Sequence, residues 1–273
     1  MLALVIPVGL LIGLSLGALG GGGSILAVPA LVYLFGQDSR AATTGSLLIV
    51  GVTSLIGLVP HRLAGRVSLA KGLVFGVLGL AGSYVGSQLS TAVPQSVLLA
   101  GFSVLMLVVA ALMTGRRRKH ARSGSAGGTV GVAIAEPVLS WRPTFTCDCT
   151  RAARIVLTAS GVGLLTGFFG VGGGFAVVPA LVLALGLPMP LAVGTSLLVI
   201  SINSFTALLF RAGQAVTLDW WVIGGFTLSA VIGSLLGSRV VSRVSPARLN
   251  LAFTVLLVVV ALYTAARSFP LVF

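Results

Sequence analysis

Apolar residues fill long, unbroken stretches of this chain, at about 2–36, 42–60, 69–89 and 96–115. A polar, basic stretch follows from Arg116 to about Arg154, and apolar runs resume at about 155–186, 190–210, 218–238 and 249–266. A helix needs roughly 20 apolar residues to cross a bilayer, so each shorter run predicts one transmembrane helix. A membrane β-barrel would show alternating segments of about ten residues instead, and these runs do not alternate. The first run of each half is too long for one crossing. At about 1.5 Å per residue, residues 2–36 would make a helix of roughly 52 Å, against a hydrocarbon layer of about 30 Å. Glycines mark where each helix must break: Gly20, Gly21, Gly22 and Gly23 in the first half, and Gly170, Gly172, Gly173 and Gly174 around Val171 in the second. Runs of glycine favour leaving the helix. Pro29 and Pro179 follow as further helix-breaking positions, each lacking a backbone N–H.

The two breaks are copies of one another. At a fixed offset of 150, residues 17–55 and 167–205 share 15 identities in 39 positions, including Val28-Pro29-Ala30-Leu31-Val32 against Val178-Pro179-Ala180-Leu181-Val182. The fold expected is an all-α polytopic membrane protein. It is a duplicated helical bundle of about eight full spans, with glycine-interrupted first segments in each half. Residues 1–115 form the first repeat, 116–154 a basic linker, and 155–273 the second repeat. If each long run is a single span, the halves are parallel; if each is a hairpin, they are inverted. Lys and Arg concentrate on the side of the 116–154 linker either way, so charge does not choose between the two, and it places that linker in the cytoplasm.

Composition narrows the class. Of 273 residues, 57% are hydrophobic and 8% charged, where a soluble domain carries roughly 25% charged. That excludes an ordinary soluble domain, and disorder, which needs high charge and low hydrophobicity. The net charge of +13 sits between apolar runs rather than on an aromatic-laced face, so no nucleic-acid partner is expected. No Lys or Arg precedes Arg40, so the apolar start reads as part of the fold rather than a secretory leader. An inner, plasma-membrane location follows. Cys147 and Cys149 are too few and too close for a disulfide framework.

Paired glycine interruptions at corresponding positions of two halves point to a transporter's binding site. Irregular backbone is tolerated in a membrane only where it is buried or lines a cavity. Unwinding there frees backbone N–H groups, and helix N-termini attract anions. Close helix packing is the competing reading; it suits scattered glycines such as Gly82 and Gly86 better than four in a row. A polar stripe accompanies the breaks. Ser46 and Thr53 are seven residues apart, as are their offset partners Ser196 and Asn203, with Thr195 beside them. Such groups either line a polar path or bond between helices. The four carboxylates, Asp38, Glu136, Asp148 and Asp219, all avoid the predicted spans, which leaves a carboxylate proton relay without a carrier. His61 and Arg62 end the second run and Arg211 occupies the place matching His61. These three are candidates for coupling or for a mouth, with interface anchoring the plainer alternative. No nucleophile with its base, no metal cluster and no phosphate loop is found, so neither an enzyme, a metal nor a cofactor is expected.

Gly17-Ala-Leu-Gly-Gly-Gly-Gly-Ser-Ile-Leu-Ala-Val-Pro-Ala-Leu, then Ala42-Thr-Thr-Gly-Ser-Leu, then His61-Arg62 with Gly65, resembles the sulfite exporter TauE/SafE family of permeases. The second half repeats the pattern with Gly167-Phe-Phe-Gly-Val-Gly-Gly-Gly-Phe-Ala-Val-Val-Pro-Ala-Leu, Ala192-Val-Gly-Thr-Ser-Leu, Gly213 and Asp219-Trp220. The first half has Gly65-Arg66-Val67-Ser68-Leu69 where the family usually continues Gly-Asn-Val-Asp-Trp, so no acidic residue is carried over to that turn. The resemblance implies a permease for sulfite, organosulfonates or related small organic anions, often moved outward, working by alternating access between the repeats. A membrane-embedded accessory or assembly protein without transport is the alternative.

Overall fold

The computed structural model describes residues 2–90, 95–122, 149–169, 174–211 and 218–268. Among them the secondary structure is helical throughout. In the first half, α1 spans Leu2–Leu19, α2 Gly22–Pro29, α3 Ser39–Leu63, α4 Leu69–Ser90 and α5 Gln95–Arg122; in the second, α6 spans Cys149–Phe169, α7 Gly174–Leu183, α8 Met189–Arg211, α9 Trp220–Arg243 and α10 Pro246–Ser268. Five helices are long and apolar enough to cross a membrane: Ala41–Leu63, Leu69–Gly86, Met189–Phe210, Trp220–Arg243 and Pro246–Ala266. Four further apolar segments are shorter, including Leu4–Leu19 and Ile155–Phe168. Among the described residues five of the expected eight full spans thus meet that length and apolarity, and the remaining apolar stretches are shorter. The basic run Arg116–Lys119 lies inside α5, which continues to Arg122. Arg and Lys are good helix formers, so a helix can carry on past its apolar stretch into water.

The first long run breaks at glycine. Gly20 adopts φ +73°, a conformation that L side chains avoid, and its N–H closes α1 on Leu16 O at 2.8 Å. The chain then folds back. A Cβ on Gly23 would lie 2.5 Å from Ile12 O and 2.8 Å from Leu16 Cβ, so α2 returns along α1. The prolines do not break the chain. Pro29 ends α2 and is followed at once by a π-helical turn, Ala30–Leu34, and Pro179 lies inside α7. A missing N–H removes one helical hydrogen bond and widens or bends the coil; leaving it altogether took the positive φ of glycine.

Close approaches at small residues fix the helix directions. Along α1, Gly9 faces Phe226, Gly13 faces Ala230 and Gly17 faces Ser234, so α1 and α9 run parallel. Along α4, Gly82 faces Ser160 and Gly86 faces Leu164, so α4 and α6 are parallel too. Gly51 faces Ser204 while Gly57 faces Leu197, which makes α3 and α8 antiparallel. Gly45 on Ile223 and Gly57 on Ser234 set α3 parallel to α9. Short turns reverse α3 into α4 and α9 into α10. Hence α1, α3 and α9 point one way, and α4, α6, α8 and α10 the other. Since α1 and α3 share a direction, α2 with its π turn is the return arm between them. The packing is also reciprocal: α1 with α9 is matched by α4 with α6, while α3 meets α8, α5 meets α10 and α2 meets α7. Reciprocity of this kind is what a two-fold relation produces.

Buried residues such as Phe75, Phe226, Phe253, Leu31 and Leu197 fill the spaces between these helices. Outward faces are apolar as well, with Leu11, Val77, Leu209 and Leu262 among the exposed residues. That is the surface a lipid environment requires. Trp220 and Trp221 stand exposed at the start of α9, where aromatic rings suit the membrane–water boundary.

Candidate functional site

The glycine break in α1–α2 leaves backbone groups without helical partners. The first N–H groups of α2 have none by construction, and Gly21 at the cap position supplies no side chain to bond them. Gly22, Gly23 and Ser24 are all buried. The Ser24 hydroxyl donates back to Gly21 O at 2.7 Å, which satisfies one carbonyl of the break and leaves the amides. The start of α7 comes to the same place. A Cβ on Gly174 would lie 2.5 Å from Ser24 Oγ and 3.1 Å from Gly21 Cα. The N-terminus of α2, which carries partial positive charge, and the first described turn of α7 therefore meet inside the bundle. No carboxylate is among the buried residues described. Gly170, Gly172 and Gly173 lie outside the described residues.

Gly20 packs directly against Ser196, with Val178 and Val193 beside it. Break and polar stripe thus belong to one region. Ser196 donates to Val193 O at 2.7 Å and Ser46 to Thr43 O at 2.9 Å, so both hydroxyls are back-bonded to their own helices. Thr195 is fully buried and accepts the Ser68 N–H at 3.1 Å. Deeper along the stripe the bonding stops. Thr53 Oγ1 and Asn203 Oδ1 are buried without a hydrogen-bond partner, and so are their neighbours Ser54 Oγ and Ser204 Oγ. All four lie within a turn of the point where Gly51 lets Ser204 Cβ approach. A buried polar atom without a partner is costly and unusual in a folded protein.

His61 departs from its reading as a boundary marker. Arg62 is exposed, as an interface residue should be, but His61 is buried. Its Nε2 lies 2.9 Å from Gly17 O, across 44 residues of sequence. The physical reason is that α1 ends within the protein rather than in water, so its last carbonyls need donors from elsewhere. Arg211 ends α8; its side chain lies outside the described residues, as do Cys147, Asp148 and most of the 116–154 linker. Sequence reasoning did not single out Ser24 or Ser234 for the site. Ser234 Oγ is buried and unpartnered against Gly17 and Gly57. The available signal was the i, i+4 pairing of Gly57 with His61, which puts a gap and a ring on one face of α3.

A family model described as "Sulfite exporter TauE/SafE" matches residues 5–264. A "Probable membrane transporter protein" of Xylella fastidiosa strain Temecula1 is 31% identical over 262 residues, covering 94% of this chain and 92% of the relative. A protein of the same description from Bacillus subtilis is 28% identical over 200 residues, covering 72% and 73%. Another from Methanocaldococcus jannaschii is 24% identical over 276 residues, covering 96% and 95%. No solved structure matches the chain. With a model match from residue 5 to residue 264 and relatives described as membrane transporters, this chain is a multi-pass membrane protein that belongs to the sulfite exporter TauE/SafE family.

Proposed function

We propose that the protein is a secondary permease for small oxyanions, of the class of sulfite and organosulfonates, working as an exporter. The observation that carries this reading is the meeting of the α2 N-terminus, at Gly21 and Ser24, with Gly174, the first described residue of α7, with no carboxylate among the buried residues described. Half-helix N-termini favour an anion and disfavour a cation. The amides of Gly22, Gly23 and Ser24, with those at the start of α7, would bind the oxyanion. Thr195, Ser196 and Ser46 would border the site, and Thr53 and Asn203 would continue it along the α3–α8 crossing, where unpartnered polar atoms are available to a passing anion or its water.

Residues 1–115 and 155–273 act in this reading as inverted repeats. The opposed directions of α1 and α6, and of α3 and α8, support it. The α1–α2 hairpin, and α6 with α7 in the other half, would rock against the remaining helices to open the site to either side. The Arg116–Lys119 cluster supports a cytoplasmic linker side. An interior-negative potential then drives anions outward, so export needs no carboxylate proton relay.

The test is flux in liposomes containing the purified protein, with sulfite, a small sulfonate and a small carboxylate as probes and an imposed potential. Saturable, potential-dependent flux of sulfite or the sulfonate is expected, and Gly22→Leu, inserted and monodisperse, is expected to lack it. A folded protein that moves none of the three anions would overturn the reading in favour of an accessory role.

A further inference from the structure

We propose that His61 is a proton-operated latch, on the linker side, for the gate formed by the α1–α2 hairpin. The inference rests on the transporter reading above and adds a regulated gate and its ligand, the proton. His61 is the only titratable side chain among the buried polar residues described. Its ring ties the broken end of α1 to the end of α3 through Nε2 and Gly17 O, 2.9 Å apart. A carbonyl can only accept, so Nε2 carries a hydrogen in this bond and Nδ1 is the site for a second proton. Nδ1 is buried with no partner. A neutral ring leaves an idle acceptor there. A protonated ring places a second N–H, with a full charge, in the same dry position.

Among the described residues no acid stands at this end of the helices to compensate that charge. On its own segment His61 is followed by Arg62 and, in the turn, Arg66, whose N–H bonds His61 O at 2.9 Å. Lys71 opens α4 across the turn. Neither α1 nor α2 contains an acid or a base, α8 is free of acids and bases before Arg211, and α9 offers Arg239 and Arg243 near its end, its acidic Asp219 capping the opposite end. An unpaired buried charge among cations is relieved by water or by release of the ring. Protonation at Nδ1 therefore favours opening at the Gly17 end of α1. The way in is short, because His61 lies two residues from the end of α3 and Arg62, Leu63, Ala64 and Gly65 are exposed. The corresponding position in the second half is Arg211, which does not lose its charge in proteins. The switch therefore belongs to one side of the molecule.

The test uses the full chain with Cys147 and Cys149 replaced by Ser and a reporter cysteine, Ser196→Cys, against the Gly20 break. A membrane-impermeant thiosulfonate is applied from the linker side, with and without His61→Gln, whose amide still donates to Gly17 O. Thiols react as thiolates, so intrinsic labelling slows in acid. Relative to His61→Gln, the His61 protein is expected to label faster as the pH falls from about pH 8 to about pH 5.5, the range over which histidine titrates. Its rate should exceed that of His61→Gln roughly tenfold at the acid end and match it at the alkaline end. Labelling of the His61 protein that falls with acid as steeply as that of a free thiol overturns the latch, whether or not the variant folds. An acid response that persists in His61→Gln overturns it too. Labelling needs no substrate, so a failure of sulfite flux and a failure of the latch are read separately.

Discussion

Ser68 donates its backbone N–H to the Thr195 hydroxyl at 3.1 Å, joining the turn after α3 to the second turn of α8. The bond crosses from one half of the chain to the other, and Thr195 is completely buried. Thr195→Val keeps the shape and removes the acceptor, leaving a backbone N–H unpaired. A loss of about 1–3 kcal/mol is expected, with Thr195→Ser near the parent. Thermal denaturation in detergent, read as loss of monodisperse protein, checks the order of the three.

The small-residue seams make a contrasting pair of expectations. A Cβ on Gly13 would lie 2.6 Å from Ala230 Cα, whereas one on Gly224 would meet nothing within 4 Å. Both glycines are inside helices. Gly13→Ala must push α1 away from α9 and is expected to lower thermal stability clearly. Gly224→Ala is expected to raise it, because alanine is favoured over glycine in a helix by about 1 kcal/mol. Equal effects of the two changes would show that the α1–α9 seam is not as tight as described.

Asp219 caps α9, its Oδ1 accepting from Trp221 N at 3.1 Å and Val222 N at 3.3 Å. It is exposed, so its role is local. Asp219→Ala is expected to cost about 0.5–2 kcal/mol and Asp219→Asn much less. If anion flux is unchanged by Asp219→Asn, the carboxylate charge takes no part in transport, and pH-dependent flux should persist in that variant.

How far the sequence could be read depended on the kind of physics involved. Gly20–Gly23 announced a break because a 35-residue apolar run does not fit a bilayer, an argument needing only length and glycine. Whether the run was a hairpin was not legible. That depends on the direction of α1 relative to α3, which only the contacts of Gly13, Gly17 and Gly57 with α9 settle. Pro29 and Pro179 were overrated, since a missing N–H is tolerated within a packed helix. The burial of His61 was not legible beside Arg62 because adjacent residues on a helix point about 100° apart, one here to the boundary and one to Gly17. The orphaned atoms of Ser54 and Ser204 were invisible, because any membrane serine can back-bond to its own helix as Ser46 and Ser196 do.

Thr53 and Asn203 offer the sharpest separation of a structural role from a transport role. Their side-chain oxygens are buried and unpartnered, so they contribute desolvation cost and no bond within the fold. If packing were their purpose, apolar residues of similar shape would serve better. Thr53→Val and Asn203→Leu are therefore expected to leave thermal stability unchanged or raised. The same changes remove hydrogen-bonding groups from the proposed anion path, so sulfite flux should fall roughly tenfold or more, the loss expected when about 1.4 kcal/mol of barrier-lowering contact is removed. Stability that rises while flux falls is the signature of polar groups kept for function. Flux that survives both substitutions would move the path away from the α3–α8 crossing and leave the glycine breaks as the only candidate site.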